Sequence, residues 1–153
     1  MSLRLPHERR GYKPNPSLSS TLRAMSTVRA QIDDLSDEIE RVVTRLRTLG
    51  PARLTARHPG GGTVAAGAHQ LAQLLADATV RLEGEPPRVV PRLGDHAVAD
   101  QVSVTGRDLL TALEDARAVS EVAAASLAAG AAGSRDERVS ELLAAVASFR
   151  RSL

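Results

Sequence analysis

The sequence predicts an all-α protein, a four-helix bundle made of two helical hairpins, and three observations carry that expectation. Apolar residues recur at alternating steps of four and three through most of the chain, the spacing that keeps one stripe of a helix against a neighbour. Glycines and prolines gather at Gly50 and Pro51, from Pro59 to Gly62, and from Pro86 to Gly94, which cuts the periodic stretches into helix-length pieces. At 153 residues the chain suits one domain, large enough to bury about 68–70% of its unfolded surface without disulfides or metal.

Residues 1–16 read as a flexible basic arm, with Arg4, His7, Arg9, Arg10 and Lys13 set among prolines and a glycine and little to bury. The first helix is expected near residues 17–49. Its apolar residues Val28, Ile32, Leu35, Ile39, Val42, Leu46 and Leu49 span three successive heptads, while the step from Met25 to Val28 breaks the alternation and predicts a local change of register. Gly50 and Pro51 end it after about 30 residues, or roughly 45 Å. Thr63 is a natural N-cap for a second helix near 63–83, whose seam Val64, Ala68, Leu71, Leu75, Ala78, Leu82 is widened by Ala72 and Leu74. A stripe that wide touches two neighbours, as a bundle helix must.

Asp95 is the expected N-cap of a third helix near 95–129. Its seam reads Val98, Val102, Thr105, Leu109, Ala112, Ala116, Val119, Ala123. The stretch from Val102 to Gly106 combines β-branched residues with a glycine, which lowers helix propensity and predicts a kink-prone segment. A break is expected from Ala128 to Gly133, after which Ser134 to Glu137 fits a capping box for a fourth helix near 134–151, with Val139, Leu142, Val146 and Phe149 facing inward. The first and third helices are longer than the other two. Their ends are therefore expected to outlast the bundle, and any apolar seam left over favours a homodimer.

Composition narrows the function classes. The chain has no cysteine, which removes disulfides, thiol nucleophiles and thiolate metal sites and makes the cytoplasm the default location. No apolar run approaches the ~20 residues that span a bilayer, so no membrane insertion is expected. Lys13 is the one lysine among 20 basic residues, the bias of a GC-rich bacterial genome. With 18 acidic residues the net charge is only +2, too weak a field to recommend nucleic acid as a partner. Tyr12 and Phe149 are the only aromatics, so there is no set of rings for stacking bases or sugars.

Candidate chemistry is sparse. Asp33, Asp34, Asp37, Glu38 and Glu40 precede Arg41, Arg45 and Arg47 and read as a solvated face, with Asp37 and Arg41 paired one turn apart. The stretch from Val28 to Ile39 resembles the opening helix of the all-α chorismate mutases, which carry a similar Arg, Ile-Asp, Leu-Asp spacing. That resemblance implies a carboxylate-binding role for Arg29; Ser36 stands where the family usually has Asp, and no matching cationic pocket is read on the later helices. The stretch from Arg53 to His58 is similar to the Arg-x4-His spacing of HEPN-type helical ribonucleases, which implies RNA cleavage by Arg53 and His58. That family carries the pattern on a helix, whereas His58 here precedes Pro59 and three glycines and is expected in a loop.

Arg53, Arg57 and His58, beside the Gly60 to Gly62 run, also form a candidate anion-binding site. His7, His58, His69 and His96 fall at no metal-ligand spacing, so no metal or cofactor is expected, and no catalytic residue is assigned. The leading expectation is a non-enzymatic interaction module that self-associates or docks on another helical protein through Val28, Ile32, Leu35, Ile39, Val42 and Leu46. The alternative partner is nucleic acid, held by the arm and the Arg41 to Arg57 region.

Overall fold

The computed structural model describes the backbone of residues 16–126 and 133–153 and the side chains of residues 26–122 and 137–153. Five helices pack against one another: α1 (Pro16–Thr48), the single-turn α2 (Pro51–Leu54), α3 (Val64–Glu83), α4 (Val98–Ser126) and α5 (Gly133–Ser152). No strand occurs among the described residues, which leaves an all-α fold. None of the described helices is long and apolar enough to cross a membrane.

Several boundaries follow their local chemistry. Thr63 caps α3 by accepting from the Ala66 N–H at 3.1 Å, and Gly84 closes the same helix in the left-handed region, as a C-terminal glycine does. Asp95 departs from expectation. It is the first residue of a 3-10 turn, Asp95–Ala97, whose N-cap position is held by Gly94; α4 proper starts three residues later, at Val98. The expected break from Ala128 to Gly133 and the Ser134 capping box lie largely outside the described residues.

The stretch expected to be kink-prone is helical, and α4 runs through Gly106 without interruption. A β-carbon at Gly106 would lie 2.7 Å from Ile39 Cγ2, closer than carbon atoms approach. The glycine therefore sets how near α1 and α4 can come, and its helix-propensity cost is offset by that packing.

Pairing of the helices differs from the two hairpins that the heptads suggested. α1 packs on α4 and α5, and α3 packs on the same two. The presumed partners α1 with α3, and α4 with α5, lie across from each other. A heptad shows which face of a helix is apolar and does not say which neighbour covers it. Direction follows from individual contacts. Ile39 meets Gly106 and Arg47 reaches Asp100 at 2.9 Å, so α1 and α4 are antiparallel. Gln31 donates to Ser140 at 3.1 Å and Arg150 pairs with Glu38, so α1 and α5 are parallel.

The core is aliphatic, with Leu35, Val42, Leu46, Leu75, Val102, Leu109, Val139 and Val146 fully enclosed. Phe149 is its one ring among the described residues and sits on Gly67, where a β-carbon would come within 3.0 Å of Cε2. Residues 85–94 cross α3 and α4 as an extended strap. Gln73 holds it by accepting from Val90 N–H at 2.8 Å and donating to the Arg88 carbonyl at 2.9 Å, and Gln101 donates to the Pro91 carbonyl.

Candidate interaction surface

The seam expected to meet a partner is filled by the chain itself. Ile32, Leu35, Ile39, Val42 and Leu46 are all core residues, and Val28 packs half-buried against them. In this fold α4 and α5 already occupy that face of α1, so the six side chains are not presented to another molecule.

Apolar surface is left elsewhere, and α4 carries much of it. α3 has 20 residues and α4 has 29, a difference of roughly 13 Å at the α-helical rise. The last turns of α3 and the first turns of α4 line one groove, so the two helices run antiparallel and the surplus falls at the C-terminal end of α4. Ala112 in the seam is 7% exposed, whereas Val119 is 69% and Val122 72% exposed. Val104, nearly two turns into the helix, is also exposed, at 56%.

The groove beneath the strap encloses about 510 Å³. Its apolar wall includes Val80, Val89, Leu93 and Val104, and its rim carries Asp100 and Asp108. Gln101 is 8% exposed there. Its amide NH₂ is committed to Pro91, and its Oε1 has no hydrogen-bond partner among the described residues.

A second, polar hollow of about 620 Å³ lies between α1 and α5, lined by Asp37, Glu40, Arg41, Thr44, Arg45, Thr48 and Arg150. Two of its lining arginines reach Glu38, which belongs to the acidic run read as solvated and is in fact 5% exposed. Arg150 pairs with it from α5, and Arg41 pairs with it at 3.0 Å. Burial pushes the Glu38 carboxyl up, but hydrogen bonds from Arg150 and Arg41, with their charges, outweigh burial and hold it below its ordinary value. Arg41 also meets Asp37 at 3.4 Å, the expected pair one turn apart. Arg41 and Arg150 are thus already engaged by carboxylates, which limits the hollow's appeal to an anion.

The Arg53 to His58 region does not assemble as either resemblance or anion binding required. Arg53 lies on α2, exposed, and Arg57 is exposed on the following loop, in an isolated bridge with Thr63. His58 turns inward. Its Nδ1 accepts from the Gly60 N–H at 3.1 Å, its Nε2 lies 2.6 Å from Ser152 Oγ, and that hydroxyl donates to the Phe149 carbonyl. The ring rests 5.4 Å from the Phe149 ring. An imidazole carrying its proton on Nε2 satisfies every one of these bonds, so both ring nitrogens are engaged within the chain. The glycine run is similarly committed, since Gly61 N–H donates to the His58 carbonyl and the Gly62 carbonyl accepts from His58 N–H. Positive φ at Gly61 and Gly62 makes that tight return possible.

Arg29, the carboxylate binder implied by the chorismate mutase likeness, is exposed and lines neither hollow. No group of three or more His, Asp or Glu side chains among the described residues has metal-holding geometry. The structural feature that sequence reasoning passed over is the outward face of α4; its signal was present as Val104 and Val122, two valines off the seam and in line with each other five turns apart. Compared with protein-family models, with curated proteins and with solved structures, the chain matches none.

Proposed function

We propose that this chain is a non-enzymatic protein-interaction module, a four-helix bundle that self-associates or docks on another helical protein. One observation carries the reading: Val104, Val119 and Val122 are large apolar side chains left exposed along α4 after the heptad residues of α1 have been used up in the core. Aliphatic surface grouped on one helix face is a common mark of an interface. The nucleic-acid alternative has less support, because Arg41 is ion-paired with Asp37 and Glu38, and Arg47 with Asp100. Phosphate contacts there would have to compete with carboxylates already in place.

The test compares the wild-type chain with the double variant Val119→Asp, Val122→Asp. Both positions are exposed, so circular dichroism should show the two folding alike. Sedimentation velocity over a concentration series reads self-association. A photo-crosslinking residue at Val119, with the captured chain identified by mass spectrometry, reads docking. The reading expects self-association or a crosslink that Val122→Asp suppresses and that a probe at Glu141 on α5 does not form. A monomer at every concentration with equal labelling from Val119 and Glu141 would sink it.

A further inference from the structure

The outward face of α4 has a pattern that narrows the class of partner, and the inference rests on the interaction reading above. Asp100, Val104, Asp108, Thr111, Asp115, Val119 and Val122 follow one another at steps of four, four, three, four, four and three, and all seven are exposed. At 100° per residue those steps confine them to one arc of the helix. Three carboxylates are interspersed with three valines and one threonine along a single line.

At its N-terminal end the line runs into the groove beneath the strap, where Asp100, Val104 and Asp108 stand beside Val89 and Leu93. Asp100 is paired with Arg47. Among the described residues no ion pair engages Asp108 or Asp115. Basic side chains near the line are Arg47, paired with Asp100, Arg88 of the strap, paired with Glu83 and Glu85, and Arg107 on α4 itself, in a stretch that also carries Asp108, Glu114 and Asp115.

We infer that this face of α4 receives an amphipathic helix of a partner protein that alternates aliphatic residues with lysine or arginine. The valines and Leu93 supply the apolar contact, and Asp108 and Asp115 supply the sites for cations. A second copy of the same face is the wrong complement. Two α4 helices laid antiparallel bring Asp108 and Asp115 of each copy together, and like charges in a closed interface oppose association. A cationic helix instead sets opposite charge against Asp108 and Asp115.

A synthetic helical peptide with leucines on one face and flanking lysines serves as the probe, beside a matched peptide with glutamate in place of lysine. Fluorescence anisotropy should show saturable one-to-one binding of the lysine peptide, weakening with salt, and none of the glutamate peptide. The double variant Asp108→Asn, Asp115→Asn should weaken binding by about five- to tenfold. Val104→Asp is the sharper variant. It makes the face more acidic and yet, by removing apolar contact where the docking line enters the groove, should also weaken binding, by about tenfold.

Tighter binding by Val104→Asp would show plain charge attraction and overturn the inference, as would unchanged affinity in the Asp108, Asp115 variant. A peptide that fails to bind, while the Val119 crosslinker still captures an identified partner, overturns the cationic-helix assignment and leaves the interaction reading standing.

Discussion

At the scale of single residues, Glu38 shows what the sequence discloses and what it hides. The Asp37 and Arg41 pair was legible because it is local, four residues apart on one helix, and it forms. The Glu38 and Arg150 pair joins residues on two helices far apart in the chain, and no spacing rule connects them. Removing either partner has unequal consequences. Arg150 remains partly open to water, whereas the Glu38 side chain is almost fully enclosed and keeps only Arg41 when Arg150 is lost, so the freed arginine rehydrates more readily than the carboxylate left with one cation. Glu38→Gln should therefore cost about 1–2 kcal/mol of stability and Arg150→Met about 2–3 kcal/mol, read from urea denaturation at neutral pH. The pH dependence has a definite sign. The folded-state value of Glu38 is depressed, so its contribution is complete above the unfolded carboxylate range and disappears as pH falls through the folded value. The wild type should lose its advantage over Glu38→Gln in acid, and an advantage that persisted there would contradict the assignment.

At the scale of elements, helix positions were largely legible and the junctions less so. Thr63 and Gly84 terminate α3 with side chains and backbone angles that their types favour, and short-range chemistry of that kind is written in consecutive residues. Asp95 has the right chemistry for a cap and is not used as one, since the chain enters α4 through a 3-10 turn. Gly106 looked like a defect in a helix and is a contact between two. Gly106→Ala tests that directly. In an isolated helix the change should help by about 1 kcal/mol, but here the new methyl meets Ile39 Cγ2, and overpacking of this kind costs about 1–3 kcal/mol. The variant should melt at a lower temperature than the wild type. Ile39→Leu removes the branch at the β-carbon, so combining it with Gly106→Ala should recover part of the loss. A Gly106→Ala protein as stable as the wild type would mean that α1 and α4 separate freely.

At the scale of the whole molecule, the all-α class was readable from periodicity, while the choice of neighbours was not. The stripe of each helix is wide enough for two partners, and residues 49–63 are long enough to return the chain to the far side, so several arrangements bury the same residues. The arrangement formed distributes stability unevenly. α3 and α4 share the most extensive packing, closed over by the strap through Gln73 and Gln101. α5 leans chiefly on α1, touches α3 much less, and is held at its end by Glu38 with Arg150 and by His58 with Ser152. Regions with fewer buried contacts open at lower free energy than the global transition. Native-state hydrogen exchange should then rank the amides of α3 and of the first half of α4 slowest, with the amides of α5 exchanging through a smaller opening that depends weakly on denaturant. His58→Ala cuts the link between the loop after α2 and the end of α5, so it should speed exchange in α5 while leaving α3 and α4 nearly unchanged. If α5 exchanged only with the whole molecule, and His58→Ala accelerated every helix alike, the helices would form one cooperative unit and α5 would be no weaker than the rest.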